Sequence, residues 1–246
     1  MTVTRTWIFC ILSFLWIMVT HPVYSNPPEP VDLWGDMDAA EEAVSISDPL
    51  EPLNRLMFTV NDKLYFWVLK PVAQGYSAWV PEGGRIAVDN FFHNLAMPVH
   101  FVNALLQGKI GQAATEVGRF GLNTVFGLFG LFDVADEHFN MKSADEDFGQ
   151  TLGHYGLGEG CYIVWPLFGP SSLRDSVGLV ADAYVHPLSY EPEHENDRLA
   201  LRAFDQENGV SLKIGLYEGI KKDAIDDPYL ALRDFWVQNR RARVSE

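Results

Sequence analysis

With only two cysteines, the chain cannot build a disulfide framework: Cys10 lies in an apolar N-terminal run, which leaves Cys161 without a partner. Basic residues are scarce too. Lys and Arg number 18 against 33 Asp and Glu, for a formal charge of −15. That balance argues against nonspecific nucleic-acid binding, which rests on basic patches, and against electrostatic adhesion to anionic lipid. Any contact with a membrane must therefore be apolar. No apolar run reaches the ~20 residues that a membrane-spanning helix needs. Period-two alternation is rare, with short strands conceivable only at 161–165 and in the glycine–phenylalanine strip 125–132, so no extended sheet is expected. Internal repeats and low-complexity tracts are absent.

Catalytic motifs begin and do not finish. Gly169-Pro170-Ser171-Ser172-Leu173 lacks the closing glycine of a nucleophile elbow, and Ser171 or Ser172 reads better as a helix N-cap. His194-Glu195 opens like a zinc-protease motif, but Arg198 stands where the second histidine belongs. Asp147-Phe148-Gly149 has no phosphate-binding loop to accompany it. Gly156, Gly158 and Gly160 do not carry dinucleotide spacing. His93, His100, His138, His154 and His186 are scattered, without a nearby acid to complete a metal set. No cofactor and no metal are called for.

The composition, 48% hydrophobic and 21% charged, is that of a folded chain. Arg5, the apolar run 7–19 and the small residues near Ser25 make a secretory signal peptide over 1–25, cleaved after Ser25, with an uncleaved anchor as the rival. Residues 26–47 form an acidic, proline-containing arm without Lys or Arg. From 48 to 246 the spacing is helical and the fold class is all-α. Asp48-Pro49 reads as an N-cap with proline at the first helical position. Leu53, Leu56, Met57, Val60 and Leu64 then recur on one face. Pro71 should end this helix and start a shorter one through Trp79, Pro81 opens the next, and Pro98 breaks that run, with apolar residues continuing after it to Gly108. Residues 110–125 and 173–184 are helical, Gly209 should interrupt a long helix over 193–222, and Asp227-Pro228 starts the last one. Phe126, Leu128, Phe129, Leu131 and Phe132 are either buried core or a surface lying in acyl chains.

The stretch 147–182 is the most informative. Six glycines (Gly149, Gly153, Gly156, Gly158, Gly160, Gly169) sit among Tyr155, Tyr162, Trp165 and Phe168, followed by a helix that carries Arg174 and Asp175. It reads as a short helix, a tight turn, an extended strip and a second helix, forming the rim of a site. This segment, the block Asp48-Pro-Leu-Glu-Pro-Leu-Asn-Arg-Leu-Met-Phe58, and Asp227-Pro-Tyr229 with Arg233 and Gln238 together resemble the MlaA (VacJ) family over roughly 48–243.

The resemblance implies a protein of the periplasmic face of the outer membrane. Such a protein removes mislocalised phospholipid from the outer leaflet and passes it to an MlaC-like periplasmic carrier, beside an outer-membrane porin trimer. A ring or horseshoe of short amphipathic helices, with at most one short hairpin, would suit this transfer, since it can set apolar faces in one leaflet around a polar passage for the headgroup. Asn54, Arg55, Phe58, Thr151, Gly153, His154, Tyr155, Gly156, Arg174, Asp175 and Arg233 fall on the matching segments and, with Asn61 on the same first helix, would line or gate the passage. Family members commonly carry a lipid on a cysteine just after a short leader. Cys10 follows Trp7-Ile8-Phe9 without the small residues of such a site, so no lipid anchor is expected. Two other readings stand beside this one: a periplasmic lipid hydrolase using Ser171 or Ser172 with His154, and a porin-binding scaffold.

Overall fold

The computed structural model describes residues 46–223 and 227–246. The signal peptide and all of the acidic arm before residue 46 lie outside the described residues. The first helix, α1 (Glu51–Leu64), begins two residues later than the Asp48-Pro49 signal suggests, with Leu50 at its N-cap. Asp48 is occupied elsewhere: its carboxylate accepts from Asn54 Nδ2 at 2.8 Å and from the Tyr229 hydroxyl. Nor does Pro71 end the helix. The backbone widens into a π turn (Tyr65–Leu69) and runs on as α2 (Lys70–Trp79). Lys70 N donates to Tyr65 O, one residue beyond α-helical register. This shift just before Pro71 accommodates a residue that has no N–H to place and whose ring would meet the preceding turn.

Pro81 opens α3 (Glu82–Leu95), and Pro98 sits in the first turn of α4 (Met97–Leu106), as the spacing predicts. Then come α5 (Ile110–Val125), α6 (Val134–Phe139, capped by Asp133) and α7 (Phe148–His154, capped by Asp147). Strands β1 (Tyr162–Trp165) and β2 (Gly169–Ser172) form one antiparallel hairpin, Tyr162 opposite Ser172. Ser172 caps α8 (Leu173–Val185), its hydroxyl accepting from Asp175 N and donating to the Asp175 carboxylate, a reciprocal cap. Beyond a short 3-10 turn, α9 (Glu195–Leu212) passes through Gly209 unbroken. The break falls instead at Gly215, whose φ of +98° needs glycine, before α10 (Leu216–Asp223). The last helix, α11 (Pro228–Ser245), is capped by Asp227 through Tyr229 N and Leu230 N.

Packing closes on itself. α1 lies on β1, β2 adjoins α8, α8 touches α4, α4 meets α3, α3 packs on α9, α9 on α2, and α2 returns to α1 through the π turn. The elements thus contact one another in a closed cycle, within the all-α architecture with one short hairpin that the sequence leads one to expect. Its apolar core is small and gathers at the hairpin, where Ile46, Tyr162, Val164, Tyr229 and Val237 are buried with Phe58 and Trp236 against them. α7 and α8 approach at Gly149 and Gly178, where a Cβ on Gly178 would lie 2.5 Å from the Gly149 backbone nitrogen.

Candidate functional site

Several helices face the wrong way for a water-soluble globule. On α5 the polar residues Glu116, Arg119 and Asn123 are buried, while Ile110, Val117 and Phe120 are exposed. On α8 Arg174, Asp175 and Gly178 are buried, and Leu173, Val177, Val180 and Tyr184 form an exposed stripe. On α1 Asn54 points in, and Leu53, Leu56 and Val60 point out. Buried polar groups and large exposed apolar faces are the informative deviations from ordinary burial. The strip 125–132 settles the same way. It is neither core nor strand: it turns tightly through Leu128 (φ +51°), Phe129 (+61°) and Gly130 (+92°). Phe126 and Phe129 stand 69% and 74% exposed, and Leu128 is half exposed, whereas Leu131 and Phe132 are partly buried. No described helix is long and apolar enough to cross a membrane.

Each inward polar face has work to do. Arg119 donates to Asp133 at 2.8 Å and to the Met141 carbonyl, Asn123 donates to Asp133 at 2.9 Å, and Glu116 accepts from Ser143 and from Ala144 N. Asp133 is held below the usual carboxylate range: burial pushes it up, but the bonds from Asn123 and Arg119 outweigh that. Two asparagines one heptad apart on α1 grip the hairpin. Asn54 Nδ2 donates to Tyr162 O at 3.0 Å and its Oδ1 accepts from Val164 N at 2.9 Å. Asn61 does the same at the far end, with Trp165 O and Leu167 N, both at 2.9 Å. A side-chain amide mimics a neighbouring strand here. Asn54→Ala should strand a buried carbonyl and a buried N–H, destabilising the protein by about 2–4 kcal/mol, measurable by chemical denaturation. A loss below about 1 kcal/mol would mean that water replaces the amide.

A cavity of about 510 Å³ opens between α1, the hairpin, α9 and α10, within the size range of small-ligand sites. Phe58, Leu64, Leu69, Leu167, Phe168, Ile220 and Leu232 make it chiefly apolar, while Asn61, Tyr65, Gln206, Lys213 and Tyr217 supply the polar points. Nearby cations are already neutralised: Lys70 pairs with Glu218 at 2.7 Å and Lys221 with Asp62 at 2.6 Å, both near the Phe66 ring. Lys213 is the lining residue that brings a positive charge to the cavity itself. Tyr217 donates to Asp62 at 2.9 Å, and burial, aided by that carboxylate, raises its hydroxyl well above the usual range. It stays a donor at any physiological pH.

Of the residues singled out in sequence, Phe58 and Asn61 line this cavity. Arg55 is bound to Glu51 and Asp227 and lies 4.5 Å from the Tyr229 ring centre, and Arg233 pairs with Asp234 and Asp48. Thr151 is buried in a network with Asn103 and Gln107. Gly153 packs beside Val244 and Arg174. His154, Tyr155 and Gly156 are exposed, with the Tyr155 hydroxyl on the Leu106 carbonyl. Arg174 and Asp175 pair in the interior, where Asp175 also meets Arg240, and Arg240 grips Asp147 through two bonds of 2.6 and 2.7 Å. The hydroxyls of Ser171 and Ser172 are taken by Ser176 and Asp175, not by His154. Sequence reasoning missed Tyr65, Gln206, Lys213 and Tyr217. They belong to the π turn, to α9 and its C-terminal end, and to α10, remote in sequence from the motif blocks, and no local pattern marks them.

A family model described as MlaA lipoprotein matches residues 46–243. The chain belongs to the MlaA family. The intermembrane phospholipid transport system lipoprotein MlaA of Escherichia coli is 40% identical over 147 residues, which covers 58% of this chain and 59% of that one. Its namesake from Haemophilus influenzae is 31% identical over 203 residues, 81% and 80% of the two chains. An uncharacterised protein of Rickettsia bellii is 34% identical over 200 residues, 81% and 77%. A solved structure described as the structural basis for maintenance of bacterial outer membrane lipid asymmetry matches with a TM-score of 0.67 at 33% identity, covering 81% of this chain and all of that one. The MlaA resemblance and the all-α fold read from the sequence are thus both borne out.

Proposed function

We propose that this protein moves phospholipid between membranes, taking mislocalised lipid from the outer leaflet of the outer membrane and handing it to a soluble periplasmic carrier similar to MlaC. The observation that carries the reading is the reversal of the helix faces: apolar stripes on α1, α5 and α8 look outward and their polar faces look in. Outward stripes suit a helical ring seated in one leaflet by apolar contact, the only kind of contact a chain of charge −15 can readily make. The cavity has the matching amphipathic character. Its leucines and phenylalanines suit an acyl chain, and Lys213, with Asn61, Gln206 and Tyr65, suits an anionic headgroup. An outer-membrane porin would be the neighbour in the membrane, on the periplasmic face. No step of this transfer makes or breaks a covalent bond.

Gly209 offers a clean test. It lines the cavity from the last turn of α9, and a Cβ there meets nothing within 4 Å. Gly209→Phe should obstruct the cavity while changing helix stability by no more than about 0.5 kcal/mol. Transfer of labelled phospholipid from vesicles holding the protein to the carrier should fall at least tenfold. Undiminished transfer by a folded variant would place the lipid route elsewhere.

A further inference from the structure

Three metal-ligating side chains that sequence separates come together away from the cavity. His93 lies in the last turn of α3 and His100 in the first turn of α4, seven residues on. The bend at Ala96 leaves their rings stacked, 5.3 Å between centres. Asp145 enters from the segment between α6 and α7, with a left-handed φ of +48°. One ligand atom from each of the three lies within 4.8 Å of the others, and His93 Nε2 is 3.5 Å from Asp145 Oδ1. Ligands about 2.0–2.1 Å from a tetrahedral zinc ion lie about 3.3 Å apart, so the pair already stands near that spacing.

The surroundings are built for ligation rather than for a loose surface pair. His100 Nδ1 sits 3.1 Å from the Glu146 carbonyl, to which it donates in the tautomer that would ligate through Nε2. An imidazole that binds metal characteristically gives its other N–H to such a carbonyl. Ser143 Oγ lies 2.7 Å from Asp145 Oδ1 and 3.2 Å from His93 Nε2, so it touches both of these groups. The segment itself is pinned on both sides of Asp145. Glu116 accepts from Ala144 N, and the buried Glu146 holds Gln107 and Lys109 at 2.7 and 2.6 Å.

We infer that His93, His100 and Asp145 form a binding site for a zinc-class divalent cation, which ties the segment between α6 and α7 to the α3–α4 bend. Two imidazoles and one carboxylate favour zinc over calcium or magnesium, which take oxygen ligands. Water would fill the fourth position. The staple would act directly upstream of Asp147, which caps α7 and holds Arg240.

The test uses the full chain in detergent, stripped with a chelator and titrated with Co²⁺, then with Zn²⁺. One Co²⁺ per chain with tetrahedral absorption bands, displaced by Zn²⁺ and accompanied by a rise in Tm, is expected. The double variant His93→Gln, His100→Gln should weaken binding at least 100-fold, and the near-isosteric Asp145→Asn at least tenfold. His138→Gln, on the exposed surface of α6, should bind as the wild type does. Should the double variant not fold, Asp145→Asn and the wild-type titration decide. A folded wild type that takes up no stoichiometric metal overturns the inference, as does equal loss in His138→Gln.

Discussion

Replacing Arg240 with alanine is expected to destabilise the protein by about 3–5 kcal/mol, the range found when one member of a buried ion pair is removed. Arg240 is 11% exposed at its side chain and joins two carboxylates, Asp147 and Asp175, the latter only 8% exposed. Without the guanidinium, Asp175 keeps Arg174 at 3.1 Å, but Asp147 loses both its charged contacts. The cluster joins α7, α8 and α11 across the Gly149–Gly178 approach, so the loss should loosen three helices together. Arg240→Lys should restore only part, because one ammonium cannot bond bidentately to Asp147 and still reach Asp175. The pH dependence has a definite sign. Burial pushes the Asp147 carboxyl up, but Arg240 outweighs it and holds the group below its ordinary value. A depressed carboxylate contributes its stability above the unfolded pKa of about 3.9 and loses it as pH falls through the lower folded value. The gap between wild type and Arg240→Ala should therefore be full at about pH 7 and narrow below about pH 4. Denaturant unfolding at both pH values checks this. A gap that stays constant in acid would show that Arg240 acts by packing alone.

The second large effect concerns the membrane. Phe126→Asp with Phe129→Asp should weaken vesicle binding by roughly 10²–10⁴-fold: two phenylalanines moved out of hydrocarbon forfeit about 1.5–3 kcal/mol each, at about 1.4 kcal/mol per tenfold. The fold should not suffer, because both rings stand mostly in the open. At Phe129 the change suits the backbone, since aspartate accepts a φ of +61° more readily than a bulky ring does. Flotation with phosphatidylethanolamine–phosphatidylglycerol vesicles measures the loss, and thermal melting verifies the fold. Wild-type binding should respond weakly to salt, given the net charge of −15. Strongly salt-sensitive binding, or a double variant that floats like wild type, would rule out apolar seating in the leaflet.

How far the sequence could be read depended on whether the signal was local. Pro81, Pro98 and Asp227-Pro228 mark helix starts because their effect on φ and on the missing N–H stays within one turn. Ser172 was legible as a cap for the same reason. Pro71 misled because a π turn upstream absorbs it, and Tyr65 and Phe66 of that turn pack against Tyr217, far along the chain on α10. Asp48 misled because Asn54 and Tyr229 claim the carboxylate first. Asn54 was marked through the family block and Asn61 through its place on the same helix, yet the bonds they make to the backbone of a hairpin 108 and 104 residues away have no local signature. The set His93, His100 and Asp145 was passed over because its acid arrives from another segment.

By itself the sequence determined that the chain is helical, where most helices start, that each has two unlike faces, and which family it joins. Spacing alone is silent on which face turns inward, since a period near 3.6 looks the same whether the apolar stripe meets a core or a bilayer. Tertiary structure made that choice. Glu116, Arg119, Arg174 and Asp175 find their partners in the buried interior, and a buried charge without a partner is far more costly than an apolar face that meets lipid.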